Sequence, residues 1–129
     1  MRRGKAVDLS GRAVLIVEDD DLIASELSDF LRGAGAAVTG PFASMAEGLA
    51  AVRTGSALDC AVLDVNLKSE MVWPVVDALM SRGVPVILAT GYEADVVPST
   101  YTHLTRLEKP VSLRDVAYHV TRQTPRQPA

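Results

Sequence analysis

The sequence predicts an α/β domain built on a five-stranded parallel sheet. Three observations carry that prediction. Short apolar runs without helical period recur, as in A-V-L-I-V at 13–17, C-A-V-L at 60–63 and V-I-L-A at 86–89. Such runs suit strands buried on both faces. Between them lie segments with helical spacing and capping residues, and strands that alternate with helices pair in parallel through right-handed crossovers. Each of these runs also gives way to a polar residue at its end, Glu18, Asp64 or Thr90. In open α/β sheets that carboxyl edge is where ligands bind.

Residues 1–11 read as a flexible basic head. Arg2 and Arg3 are followed by no apolar h-region, so a signal peptide is not expected. The first strand, 13–17, runs into Glu18-Asp19-Asp20-Asp21. Asp20 suits the N-cap of the next helix, where the helix dipole favours acidic groups. Its core stripe is Ile23, Leu27, Phe30 and Leu31, and Gly33 and Gly35 stop it. Residues 36–40 read as a weaker strand closed by Gly40-Pro41. Ser44 with Glu47 forms a capping box for a helix over 45–53, ended by Gly55-Ser56.

The third strand, 60–63, delivers Asp64. Pro74 suits the first turn of a helix that runs to about Ser81, where Arg82-Gly83 ends it. The fourth strand, 86–89, ends in Thr90-Gly91. Strict alternation then asks for a helix over 92–103. Pro98 and the β-branched Val96, Val97, Thr100 and Thr102 disfavour one, so the fourth helix is expected to be weak or missing. A short fifth strand, 105–107, ends at Lys109-Pro110. Ser112 and Asp115 offer the cap and third position of a last helix over 113–122, with Val111 and Val116 placed for a hydrophobic staple. Residues 12–122 therefore make one domain and 123–129 a flexible Pro-rich tail. Five such strands fit the flavodoxin-like, doubly wound order 2-1-3-4-5.

Composition narrows the function classes. A chain of 129 residues with net charge -3 is one domain without the basic stripe that nucleic-acid binding needs. The single cysteine, Cys60, makes no internal disulfide, which fits a reducing cytoplasm. No apolar run is long enough to span a membrane.

In the predicted order, the carboxyl edge carries Glu18 and Asp19, then Asp64, Thr90 and Lys109, side by side. Clustered carboxylates repel, and one must protonate unless a positive charge joins them. A hard divalent cation suits an all-oxygen site; Mg²⁺ takes one or two carboxylates, waters and a phosphate oxygen. Lys109 adds a mobile ammonium and Thr90 a hydroxyl donor. Together these make a site for a phosphoryl group on Asp64, a carboxylate nucleophile that would form an acyl phosphate.

The motifs V-E-D-D at 17–20, L-D-V-N at 63–66, A-T-G at 89–91 and K-P at 109–110 resemble the receiver domain of two-component response regulators. The resemblance covers residues 12–122. It implies that Asp64 accepts phosphate from a sensor histidine kinase and signals to a downstream protein. It implies Mg²⁺ (or Mn²⁺) held by Asp19 directly, by Glu18 through water, and by Asp64 and the backbone carbonyl of Asn66. Thr90 and Lys109 would bind the phosphoryl oxygens. L-A-T-G-Y at 88–92 and D-V-N-L at 64–67 resemble a receiver subclass with a Phe-Ala-Thr-Gly-type motif, often stand-alone, with Leu88 in place of the Phe. Arg106 stands where most receivers carry the aromatic that turns inward on activation. Tyr92 sits two residues after Thr90, at the rim of the pocket.

Other residues have ordinary readings. His103 and His119 lack metal-spaced partners, Cys60 is a small buried hydrophobe, and Trp73 is a half-buried packing residue. Leu22 falls outside the predicted stripe, beside the active edge, as a kinase contact or a cover for the Lys109-Pro110 loop. Two other functions compete with a phosphoacceptor that signals or drains phosphate. An aspartate-nucleophile phosphatase wants a second acid two residues after the nucleophile, and Asn66 stands there. An unphosphorylated scaffold has no need of the complete acceptor set. The chain is expected to be no enzyme beyond slow self-dephosphorylation.

Overall fold

The computed structural model describes residues 7–55, 57–68, 70–91 and 97–123. In chain order these form β1 (Ala13–Val17), α1 (Asp21–Gly33), β2 (Ala37–Phe42), α2 (Met45–Arg53) and β3 (Cys60–Asp64). A small hairpin, β4 (Asn66–Leu67) and β5 (Glu70–Met71), precedes α3 (Trp73–Ser81) and β6 (Val86–Thr90). A 3₁₀ turn at Ser99–Tyr101, β7 (Thr105–Glu108) and α4 (Leu113–Gln123) complete it. The main sheet has five parallel strands in the order β2-β1-β3-β6-β7. With the hairpin set aside this is the predicted order.

Each layer follows from the pattern of its strands. Every residue of β3 is buried, because helices cover both faces of a central strand. One face packs Leu15, Val17, Leu63 and Leu88 against α2 and α3. The other packs Val14, Ile16, Val62 and Ile87 against α1 and α4. Cys60 is a fully buried member of that second core, and burial pushes its thiol up to about 12. Gly48 lets α2 lie close on β1, since a Cβ there would meet Val17 Cγ2 at 2.8 Å.

The caps form as the sequence requires. Asp20 accepts from the Ile23 N–H, Ser44 from the Glu47 N–H, and Ser112 from the Asp115 N–H. The helix C-termini at Gly33 and near Gly83 also fall where expected.

Four details differ from the sequence reading. The buried face of α1 is Ala24, Leu27, Ser28 and Leu31, whereas Ile23 is 39% exposed. The helix is turned so that Ala24 is buried, while Ile23 lines a groove with Pro110 and Val111 of the loop after β7. The second strand does not stop at Gly40-Pro41; it continues to Phe42, with a register shift between Leu15 and Val17. Proline is tolerated there because β2 is an edge strand. The ordered domain begins before residue 12, because Leu9 is fully buried and its N–H donates to the Ala34 carbonyl (2.7 Å). The hairpin after Asp64 was not anticipated.

Between β6 and β7 the described residues form only the 3₁₀ turn. It is tied to α3 through Tyr101, whose ring stacks on Trp73 at 4.5 Å and whose hydroxyl donates to Asp77 Oδ1 (2.6 Å). Tyr92 lies outside the described residues.

Candidate phosphoacceptor and metal site

The register of the sheet assembles the site. Val17 pairs with Leu63, Asp64 with Ala89, and Thr90 with Glu108. The residues just past those pairs, Glu18, Asp19 and Lys109, therefore meet Asp64 at one edge. Asp64 is 4% exposed and Glu18 5%. Lys109 Nζ lies 3.1 Å from Asp64 Oδ2 and 3.3 Å from Glu18 Oε1, so one ammonium serves two buried carboxylates.

The remaining oxygens are held by backbone. Glu18 Oε2 accepts from the Asp20 N–H (3.0 Å), and Asp64 Oδ1 accepts from the Asn66 N–H (3.3 Å). The Glu18 N–H donates to the Phe42 carbonyl (2.9 Å), so the end of β2 contributes a backbone tether to the site. The Lys109 N–H donates to the Thr90 carbonyl (2.8 Å), which ties the loop after β7 to the end of β6. Thr90 itself is half-buried at that edge.

Three acids face one ammonium, and the electrostatics show the strain. Burial first, and then the Glu18 charge, push the Asp64 carboxyl up to about 7, against the opposing pull of Lys109. Burial pulls the Lys109 ammonium down, but its hydrogen bond and charge interactions with Asp64 and Glu18 outweigh this and hold it raised. One carboxylate oxygen each from Glu18, Asp19 and Asp64 lies within 4.8 Å of the others. An all-oxygen set with surplus negative charge fits a hard divalent cation. A cavity of about 290 Å³ opens beside these groups, lined by Asp64, Asn66, Lys68, Gly91 and Lys109.

Sequence reasoning thus named Glu18, Asp19, Asp64, Asn66, Thr90 and Lys109, and the fold brings all of them to one edge. It missed Lys68 and Gly91. The only available signal for Lys68 was its place four residues after Asp64, in a stretch that reads as plain loop. Of the switch and partner candidates, Leu22 and Arg106 are not among the residues that line the cavity, and Tyr92 lies outside the described residues. Arg106 is exposed on β7. Leu22 is 68% exposed, and it is Ile23 rather than Leu22 that lines the small groove with Pro110, Val111 and Leu113. No helix among the described residues is long and apolar enough to cross a membrane.

No protein-family model matches the chain, and no curated protein matches it. Solved structures do. The chain is similar to SdrG from Sphingomonas melonis Fr1, at 39% identity over 85% of this chain and 93% of that chain, with a TM-score of 0.74. It is similar to the BeF3-activated conformation of SdrG from Pseudomonas melonis Fr1, at 37% identity over 88% of this chain and 96% of that one, with a TM-score of 0.70. It is also similar to a CheY-like response regulator receiver domain protein from Methanospirillum hungatei JF-1, at 26% identity over 86% and 91% of the two chains, with a TM-score of 0.75. These likenesses, together with the acidic edge and its lysine, lead to one conclusion: the chain belongs to the response regulator receiver-domain family.

Proposed function

We propose that this receiver takes a phosphoryl group from a sensor histidine kinase onto Asp64 and signals through phosphorylation-dependent contact with a downstream protein. The observation that carries the reading is the buried Asp64 carboxylate held by Lys109 Nζ at 3.1 Å beside an open cavity. A carboxylate oxygen of Asp64 attacks phosphorus, and a P–O bond forms. The bond from phosphorus to the donor's imidazole nitrogen, or to acetate oxygen in acetyl phosphate, breaks, and the leaving group takes its electron pair. Lys109 favours the ionised form of Asp64 that attacks and then faces the new phosphoryl oxygens, with the Thr90 hydroxyl as a further donor.

Asp19, Asp64 and the Asn66 carbonyl would hold Mg²⁺ (or Mn²⁺), with Glu18 acting through water. When bound, the cation offsets the negative charge gathered around the transferred group. The fit rests on the clustered acid oxygens, which outnumber the ammonium groups beside them. Asn66 cannot protonate a leaving group, so the product is a persistent acyl phosphate with slow self-dephosphorylation rather than phosphatase turnover. The A-T-G-Y and D-V-N-L stretches support the Phe-Ala-Thr-Gly-like subclass. Leu22 and Ile23 are apolar contacts available to the kinase beside the active edge. A cytoplasmic location is part of the same reading.

Incubation with acetyl phosphate and Mg²⁺, followed by intact mass measurement, tests the proposal. A single base-labile phosphoryl adduct is expected. Rapid multiple turnover without adduct would make the chain a phosphatase, and no reaction at all would make it a scaffold.

A further inference from the structure

The hairpin after the acceptor places a second lysine at the site. Asn66 pairs with Met71 and Leu67 with Glu70, and the Val72 N–H donates to the Val65 carbonyl (3.0 Å), so the chain folds back directly beyond Asp64. Leu67 is buried, which fixes its strand facing and leaves the next residue at the tip. That residue is Lys68, with φ of 58°, the only non-glycine in the left-handed region among the described residues. A two-residue hairpin turn takes Asn or Gly at such a position far more readily than lysine. Unfavourable backbone conformations of this kind persist only where the surrounding structure holds them, and they cluster where they have a use, at active sites and ligand clamps.

The use is visible in the cavity. Lys68 lines it with Asp64 and Lys109. The ammonium of Lys109 is already shared between Glu18 and Asp64. A phosphoryl group arriving on Asp64 brings up to about two more negative charges. Lys68 is exposed and has no ion pair among the described residues. Its four-carbon stem carries a compact charge that can swing toward an incoming anion.

We propose that Lys68 is a second cationic ligand for the phosphoryl anion, recruited from the hairpin tip when the donor or the acyl phosphate occupies the cavity. The role rests on the phosphoacceptor reading and adds to it a residue that sets anion affinity. It differs from that of Lys109, which holds the resting carboxylates. Lys68 is engaged only by the ligand.

Beryllofluoride, with Mg²⁺ saturating, is the probe, because it occupies the position of the phosphoryl group without chemistry. Three variants separate charge from backbone. Lys68→Asn tolerates the left-handed turn and removes the charge, Lys68→Gly relieves the backbone and removes the charge, and Lys68→Arg retains the charge. Lys68→Asn and Lys68→Gly should bind beryllofluoride about fivefold more weakly at low salt, with the deficit shrinking as salt rises. Lys68→Arg should bind close to wild type. Mg²⁺ affinity measured without the anion should hold or tighten in the neutral variants, whereas a hairpin that merely supports the site would weaken both ligands together. Wild-type affinity for beryllofluoride in Lys68→Asn and Lys68→Gly, or parallel loss of Mg²⁺, overturns the Lys68 role alone. Failure of the wild type itself to bind the probe overturns the phosphoacceptor reading, and the Lys68 role with it.

Discussion

Replacing Asp64 by asparagine should stabilise the fold at pH 8 while abolishing phosphorylation. Burial and the Glu18 charge raise the carboxyl from 3.8 to about 7 in the folded chain. The folded protein therefore holds that proton more tightly than the unfolded chain does. The stability linked to it is complete below the unfolded value and is lost as pH rises through about 7. Across that interval the loss reaches roughly 4 kcal/mol, at about 1.4 kcal/mol per decade. Relaxation and water entry around an active-site carboxylate reduce this, and about 2 kcal/mol is the working expectation. Asparagine never ionises and so escapes the loss, while Lys109 keeps Glu18 as its partner at 3.3 Å. Urea unfolding without divalent cation at pH 8 should show Asp64→Asn more stable by that margin, which corresponds to roughly 8 °C in Tm for a domain of this size. At pH 4.5 folded wild-type Asp64 is protonated and only the unfolded chain ionises, so the advantage should shrink to about a quarter of its value at pH 8. An equal gain at both pH values, or a loss at pH 8, would refute the electrostatic account of the site.

Three further outcomes are expected. Asp19→Ala should weaken Mg²⁺ binding, read by calorimetry, more than Glu18→Ala, because Glu18 is already committed to Lys109 and the Asp20 N–H; equal, unchanged titrations would remove the end of β1 from the metal site. Tyr101→Phe should cost about 1 kcal/mol in urea unfolding by breaking the bond to Asp77, and Tyr101→Ala about 3 kcal/mol with altered Trp73 fluorescence; wild-type stability in both would show that the turn is not anchored on α3. Beryllofluoride should change hydrogen exchange over residues 97–104, because Arg106 is exposed and cannot fill the apolar role of an inward-turning aromatic. Arg106→Ala should then be phosphorylated normally yet bind its partner differently, and changes confined to another surface would send the signal by a different route.

The strands were legible because each is a short apolar run cut off by charge, and the site was legible because topology alone brings the strand ends together. Asp64, Lys109 and the acids after β1 needed no side-chain detail to be placed. What escaped has physical reasons. The hairpin strands are two residues each, and their turn lacks the Asn-Gly signal that marks such turns. The buried face of α1 is displaced by one residue, from Ile23 to Ala24, because alanine has so little apolar area that periodicity favours the larger neighbour. Pro41 argued for a strand end, yet an edge position removes the penalty. Leu9 is a single apolar residue in a polar stretch and has no period to read. Tyr101 gained its role from Trp73 and Asp77, which lie 24 or more residues away in sequence.

The phosphoryl group is proposed to sit on Asp64, and chemical trapping locates it directly. Borohydride reduces an acyl phosphate to an alcohol, so phosphorylated protein quenched with borohydride and mapped by peptide mass carries a permanent mark at the acceptor. The alcohol is expected at position 64, dependent on phosphodonor and Mg²⁺ and absent from Asp64→Asn. A reduced side chain at Asp19, Glu18 or any other carboxylate, or an unmarked peptide from fully phosphorylated protein, would contradict it.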